Sequence, residues 1–262
     1  MKILNSKLDL QLFYHQASEA RQKAILLDYD GTLAPFHVNP EKAFPYPGVR
    51  EMLKKVMQAP DVRTVFISGR CIRDLEALLE FDVKPELRGS HGLERLKSDG
   101  SYEVASMDEM AVQGLVMADE WIETTDYLNR CEKKPGCLAV RWRGLNERKI
   151  SEMKSQVMET FSRIAEDWKL SLEEFDGGLE LRAPVRNKGD AVKTVLYEMG
   201  PDVVAAYLGD DVTDEDAFKA IKGRGLAVLV RNALRPTAAD IWIKPPEELL
   251  NFLSNWLPRG GK

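Results

Sequence analysis

The sequence predicts an α/β fold, a doubly wound parallel sheet interrupted by a smaller α+β domain. Two observations carry this. Short apolar runs alternate with amphipathic helical stretches at both ends of the chain, the pattern of buried parallel strands with crossover helices. Three of those runs end on polar clusters, at Asp28, Ser68 and Asp210. In an open α/β sheet, ligands sit beyond the carboxyl ends of the strands.

Taken in order, residues 8–22 carry Leu8, Leu12, Phe13 and Ala17 at helical spacing and read as a lead-in helix. Residues 24–28 form an apolar run ending on an acid, followed by Gly31-Thr32. Residues 64–67 repeat this pattern into Ser68-Gly69-Arg70, and residues 203–208 repeat it into Gly209-Asp210-Asp211. Weaker strands are expected at 226–230 and 241–243, with helices at 48–58, 73–80, 189–199, 214–221 and 246–256. The middle differs: helix at 106–130, an alternating strand at 137–143, helix at 147–168, then strands at 170–175 and 178–183 about a turn at Asp176-Gly177-Gly178. The expected division is therefore residues 1–105 and 184–262 for the core, with 106–183 inserted.

Composition narrows the function classes. The 262 residues are 44% hydrophobic and 30% charged, which suits a folded protein and excludes a disordered tail, a collagen-like fibre or a coiled coil. The net charge of −5 gives no support to a nucleic-acid binder working through a basic surface. Cys71, Cys131 and Cys137 are too few for a disulfide framework and lack the neighbours of a zinc site. A reducing, cytoplasmic setting is expected. Charges at Lys2, Lys7 and Asp9 break the apolar stretch a signal peptide needs, and no run reaches the ~18 apolar residues of a membrane span.

The chemistry concentrates in four places. Asp28-Tyr29-Asp30-Gly31-Thr32-Leu33 puts two carboxylates near one point at a strand end. Acids packed so closely repel unless a cation or a shared proton intervenes, and oxygen-only ligands favour Mg²⁺. The bland alternative is an acidic turn capping the next helix. Residues 210–216 gather five acids in seven positions. Dipole capping needs one or two, so a further metal-facing carboxylate is the better account. Ser68-Gly69-Arg70 at a strand-to-helix junction offers a hydroxyl and backbone N–H groups to an anion, and Lys188 stands at the entry to a helix. Neither means much alone. Together the four supply what phosphoryl transfer requires: an attacking acid, a proton-handling acid, a metal-holding acid, and a hydroxyl and lysine for the phosphoryl oxygens.

In this order the four motifs resemble those of the haloacid-dehalogenase (HAD) superfamily, and more narrowly the trehalose-6-phosphate phosphatases. Leu27 through Leu33, Ile67-Ser68-Gly69-Arg70, Gly89-Ser90-His91-Gly92-Leu93-Glu94, Lys188-Gly189-Asp190 and Gly209-Asp210-Asp211-Val212-Thr213-Asp214-Glu215 follow that family's wording. The resemblance implies a Rossmann-like HAD core with an inserted α+β cap that closes over it and reads the sugar. It implies Asp28 as nucleophile, Asp30 as general acid and base, and Ser68 and Lys188 on the phosphoryl group. Mg²⁺ would be bound by the Asp28 and Asp210 side chains and the Asp30 carbonyl, with Asp211 and Asp214 behind it.

The resemblance further implies Arg70 and His91 near the substrate, and Lys134, Arg141, Arg143 and Glu180 as cap residues reading the sugar. Arg141 departs from the family, which has histidine there. Competing readings stay open: a solvent-facing strand for Arg141 and Arg143, a same-face ion pair for Glu180 and Arg182, and a structural role for His91. The implied activity is hydrolysis of trehalose 6-phosphate by a monomer with no nucleic-acid or membrane partner. Its rivals are a phosphatase of a glycosylglycerate or sucrose phosphate, a phosphomutase, and a sugar-phosphate sensor without catalysis.

Overall fold

The structure is a computed structural model that describes residues 1–175 and 177–257. It divides into two compact units, Met1–Tyr102 with Asn187–Lys262, and Glu103–Arg186. Residues 106–183 fall inside the second.

The first unit is organised by β2 (Lys23–Leu27), whose five residues are all buried. Lys23 is paired with Asp61 at 2.7 Å, and the rest is apolar. Parallel pairing extends from it in both directions. On one side lie β3 (Val62–Ile67) and β4 (Glu86–Gly89). On the other lie β11 (Val204–Gly209), β12 (Gly225–Val230) and β13 (Ile241–Ile243). The strand order therefore reverses between β2 and β11, which makes their carboxyl ends the place where a ligand is received. The sheet is extended by β1 (Lys2–Ile3), antiparallel to β13, by β5 (Glu94–Leu96), antiparallel to β4, and by β6 (Tyr102–Val104).

Both faces are covered because the strands alternate. Ile25, Leu27 and Phe66 pack with α1 (Leu10–Glu19), α2 (Val49–Met57), α3 (Ile72–Leu79) and α8 (Glu247–Ser254). Ala24, Leu26, Val65 and Tyr207 pack with α6 (Lys188–Met199) and α7 (Glu215–Ile221). Each fully buried Ile or Leu contributes about 1.5–3 kcal/mol, so β2 is anchored from both sides.

In the second unit an antiparallel sheet has the order β7 (Cys131–Lys134), β8 (Cys137–Arg141), β10 (Gly178–Arg182), β9 (Ser171–Phe175). Leu138, Val140, Leu179 and Leu181 pack with Ala118 and Ile122 of α4 (Glu109–Glu123) and Val157 and Phe161 of α5 (Glu147–Trp168). The alternating positions on the opposite face carry the polar side chains described below.

Several expectations are corrected. The helix expected at 106–130 starts at its Asp108 cap and stops at Glu123, where the Thr124 and Thr125 hydroxyls donate to the Trp121 and Ile122 carbonyls. The strand expected at 137–143 ends at Arg141, and Gly144 turns the chain at φ +82°. Of the turn expected at residues 176–178, Asp176 lies outside the described residues. The sequence pattern gives no sign of strands β1, β4, β5, β6 and β7. Glu86 and Arg88 stand on buried β4, and a charged strand gives no apolar run to recognise. Among the described residues, no helix is long and apolar enough to cross a membrane.

Phe161 is fully buried and lies edge-on to Trp121 with ring centroids 5.8 Å apart. Phe161→Ala is expected to cost the second unit about 3–5 kcal/mol, read by urea unfolding followed by tryptophan fluorescence. A loss under about 1 kcal/mol contradicts this packing.

Candidate active site

The Asp28 amide continues the ladder of β2 by donating to the Leu208 carbonyl, 2.9 Å away, and holds Asp28 level with the end of β11. Its carboxylate is buried and doubly held. Lys188 Nζ donates to Oδ1 at 2.7 Å, and Thr32 Oγ1 donates to Oδ2 at 3.0 Å. The chain then turns at Gly31, with φ +80°. A Cβ there would stand 2.1 Å from Asp210 Oδ2, so only glycine lets the turn approach the second acid.

Asp214 anchors the opposite side. Its Oδ1 accepts from Lys188 Nζ at 2.7 Å and from the Tyr207 hydroxyl at 2.5 Å. Its Oδ2 accepts from the amides of Asp210 and Asp211, each at 3.0 Å. One oxygen from each of Asp28, Asp210 and Asp214 lies within 4.8 Å of the others, and all three residues are buried.

Electrostatics separates the three acids. Burial would raise the Asp214 carboxyl, but Lys188, Tyr207 and the backbone amide hold it below its ordinary value. Burial and then the Asp214 charge push Asp28 up to about 7, against the pull of Lys188. Burial and the Asp28 and Asp214 charges push Asp210 well above the carboxylate range. Lys188 is buried, which alone would lower it, yet Asp214 and Asp28 hold it firmly protonated. Lys188 bonds to Asp28 and Asp214, and Asp210 is crowded beside them, so ionising all three acids leaves an excess of negative charge that a proton or a cation must relieve. With four donors on Asp214, Asp28 and Asp210 are the carboxylates best placed for a hard divalent cation, and an all-oxygen donor set fits Mg²⁺.

The remaining core residues flank this cluster. Arg70 Nε and Nη2 donate to the two Asp30 carboxylate oxygens, both at 2.6 Å, and its guanidinium lies over the Tyr29 ring. Ser68 is buried, with Oγ accepting from the Arg70 amide and its carbonyl from the His91 amide. His91 is in the left-handed region at φ +57°, its ring packed so tightly on Gly69 that a Cβ there would lie 2.7 Å away. Asp211 accepts from the Val212 amide and caps the 3-10 turn Val212–Asp214.

In the second unit, Lys134 Nζ and Cys137 Sγ both donate to Glu180 Oε1, at 2.8 and 2.9 Å, and all three side chains are buried. Arg141 directs Nε and Nη2 to Glu132 Oε2 and lies over the Phe175 ring. Arg182 pairs with Glu173. Arg143 lies past the end of β8, its side chain against Gly177.

Residues 26–240 match the family described as Trehalose-phosphatase. The chain belongs to this family. A probable trehalose-phosphate phosphatase J of Arabidopsis thaliana is 31% identical over 93% of this chain and 70% of its own length. The probable phosphatase H of the same plant is 32% identical over 95% and 75%. Among solved structures, the C-terminal domain of a Candida albicans trehalose-6-phosphate phosphatase superposes with a TM-score of 0.80 at 22% identity, covering 98% of this chain and 99% of that one. A haloacid dehalogenase-like hydrolase from B. subtilis gives 0.60 at 14% identity over 89% and 99%. At such identities the likeness is one of fold, and the fold is that of HAD-like hydrolases.

The structure brings Asp28, Lys188, Asp210 and Asp214 together and sets Asp30 against Arg70. It adds two residues to which no sequence motif assigns a part. Thr32 stands inside the first motif, where its hydroxyl was the available signal. Tyr207 sits within an apolar strand, and nothing local distinguishes it from a core aromatic.

Lys188→Met leaves two buried carboxylates without their cation. It is expected to lower stability by about 3–5 kcal/mol, measured by urea denaturation in the presence of a chelator. An unchanged midpoint contradicts the pairing.

Proposed function

We propose that this trehalose-phosphatase family member is a Mg²⁺-dependent phosphatase that converts trehalose 6-phosphate to trehalose and inorganic phosphate. The observation that supports this best is the Asp28 carboxylate, held by Lys188 and Thr32 beside Asp210 at the carboxyl end of β2. Asp28 attacks phosphorus, the ester bond to the sugar oxygen breaks, and Asp30 supplies the proton that the leaving oxygen takes up. A water then attacks the aspartyl-phosphate, passes its proton to Asp30, and releases phosphate with Asp28 restored. Arg70 engages both Asp30 oxygens in the resting site, and one of these two bonds is released when Asp30 carries the proton.

Asp28, Asp210 and the Asp30 carbonyl would hold Mg²⁺, which neutralises charge on the transferring group. Asp214 and Asp211 keep that loop in place. Ser68 and Lys188 meet the phosphoryl oxygens. Lys134, Glu180 and Arg143, all of the second unit, are proposed to read the sugar. Arg141 is engaged with Glu132 and Phe175, which favours a substrate with no second anionic group. The three cysteines are free thiols, as a reducing compartment allows, so cytoplasmic action belongs to the same proposal.

A panel of trehalose 6-phosphate, sucrose 6-phosphate and a glucosyl phosphoglycerate, compared by kcat/KM with Mg²⁺, tests the substrate. Trehalose 6-phosphate is expected to lead by about tenfold or more, and a clear win for the carboxylated substrate contradicts the reading. Asp28→Asn is expected to lose about a thousandfold or more in kcat. Gly31→Ala, folded but with Asp210 displaced, is expected to lose about a hundredfold. Full turnover by either variant, measured by phosphate release, removes the site assigned here.

A further inference from the structure

Arg235 lies between β12 and β13, remote in sequence from every motif of the site. Its Nε donates to the Asp210 carbonyl at 3.0 Å and its Nη2 to the Asp211 carbonyl at 2.6 Å. Its Nη1 donates to Glu215 Oε1 at 2.5 Å and to the Pro236 carbonyl at 2.8 Å. Glu215 is held in turn, with Oε2 accepting from the Ala238 amide at 2.7 Å, and Arg231 Nη1 reaches the Asp210 carbonyl at 3.4 Å.

The amides of these same two residues, Asp210 and Asp211, both donate to Asp214 Oδ2. Residues 210 and 211 thus have both amides on one charged side chain and both carbonyls on another. The backbone is gripped from two sides, which fixes the direction in which the Asp210 side chain leaves it, against Gly31. Small rotations of those peptides swing the carboxylate through much larger displacements, and a hard cation tolerates little error in its oxygen ligands. An arginine is suited to this position because its planar fork reaches two carbonyls and a carboxylate at once, whereas a lysine offers one point of charge.

We infer that Arg235 is a positioning residue, which sets the place of the Asp210 carboxylate and so the affinity of the acidic cluster for its divalent cation. It rests on the reading of Asp210 as metal-facing given above. Arg235 contacts carbonyls behind the site, so its loss is expected to weaken cation binding while leaving turnover at saturating cation, and KM, within a few-fold of wild type.

The test is Mg²⁺ titration of the full chain after chelator treatment. Binding is read by calorimetry and by the Mg²⁺-induced rise in Tm, for wild type, Arg235→Met, Arg235→Lys and Asp210→Asn. Arg235→Met is expected to raise the Mg²⁺ dissociation constant about 10- to 100-fold, with Arg235→Lys between it and wild type. A purely structural tie would lower the Tm of the metal-free protein and leave that constant unchanged. That result overturns the inference. Asp210→Asn separates the two levels: if it binds Mg²⁺ as tightly as wild type, the metal-facing reading of Asp210 fails first. Should Arg235→Met not fold, Arg235→Lys and Glu215→Gln, which removes charge from the partner orienting Nη1, carry the same comparison. Wild-type affinity in both overturns the inference.

Discussion

The site depends on one buried ammonium. Lys188 Nζ stands 2.7 Å from carboxylate oxygens of both Asp28 and Asp214, and all three side chains are almost wholly removed from water. A single ion taken into such surroundings costs several kcal/mol, and only good geometry and further hydrogen bonds offset that cost. Those bonds are present: Thr32 on Asp28, and Tyr207 and two backbone amides on Asp214. The three ions come from the end of β2, the start of α6 and the loop after β11, so the pairing is possible only where the sheet places those ends side by side. The reversal of strand order between β2 and β11 does this. Fold and chemistry are joined at that point.

The charge count has a second consequence. Asp28 and Asp214 share the lysine, and Asp210 adds a third buried acid beside them. Ionising all three acids leaves an excess of negative charge that a hard cation relieves, and without one the cost shows as the raised Asp28 and Asp210 carboxyls. The backbone around Asp210 is correspondingly restrained, with Asp214 on its amides and Arg235 on its carbonyls. Gly31 leaves the room that Asp210 occupies.

Much of this was legible in the sequence because the signals were local. Apolar runs ending on Asp28, Ser68 and Asp210 fixed the carboxyl ends of three strands, and the acids themselves named the chemistry. The strands that carry no local signal lack it for physical reasons. β4 carries Glu86 and Arg88 inward, stabilised by ion pairs that include Arg63 at 2.8 Å from Glu86, so its pattern looks like a loop. β7, Cys-Glu-Lys-Lys, is an edge strand whose charges are paired, Glu132 with Arg141 of β8, Lys134 with Glu180 of β10 and Lys133 with Asp119 and Glu123 of α4, so it shows no apolar face. Contacts across long sequence distances were also out of reach. Nothing around Arg235 announces that it holds residues 210 and 211, and the pairing of Arg141 with Glu132 depends on the register of β7 against β8.

The central claim is that the carboxylate Lys188 holds is the one that takes the phosphoryl group. The most direct measurement is an acid quench during turnover of radiophosphate-labelled trehalose 6-phosphate with Mg²⁺, followed by peptide mapping of the labelled chain. The account predicts an acid-stable, hydroxylamine-labile label on the peptide containing Asp28, and on Asp28 within it. A label on any other residue contradicts it.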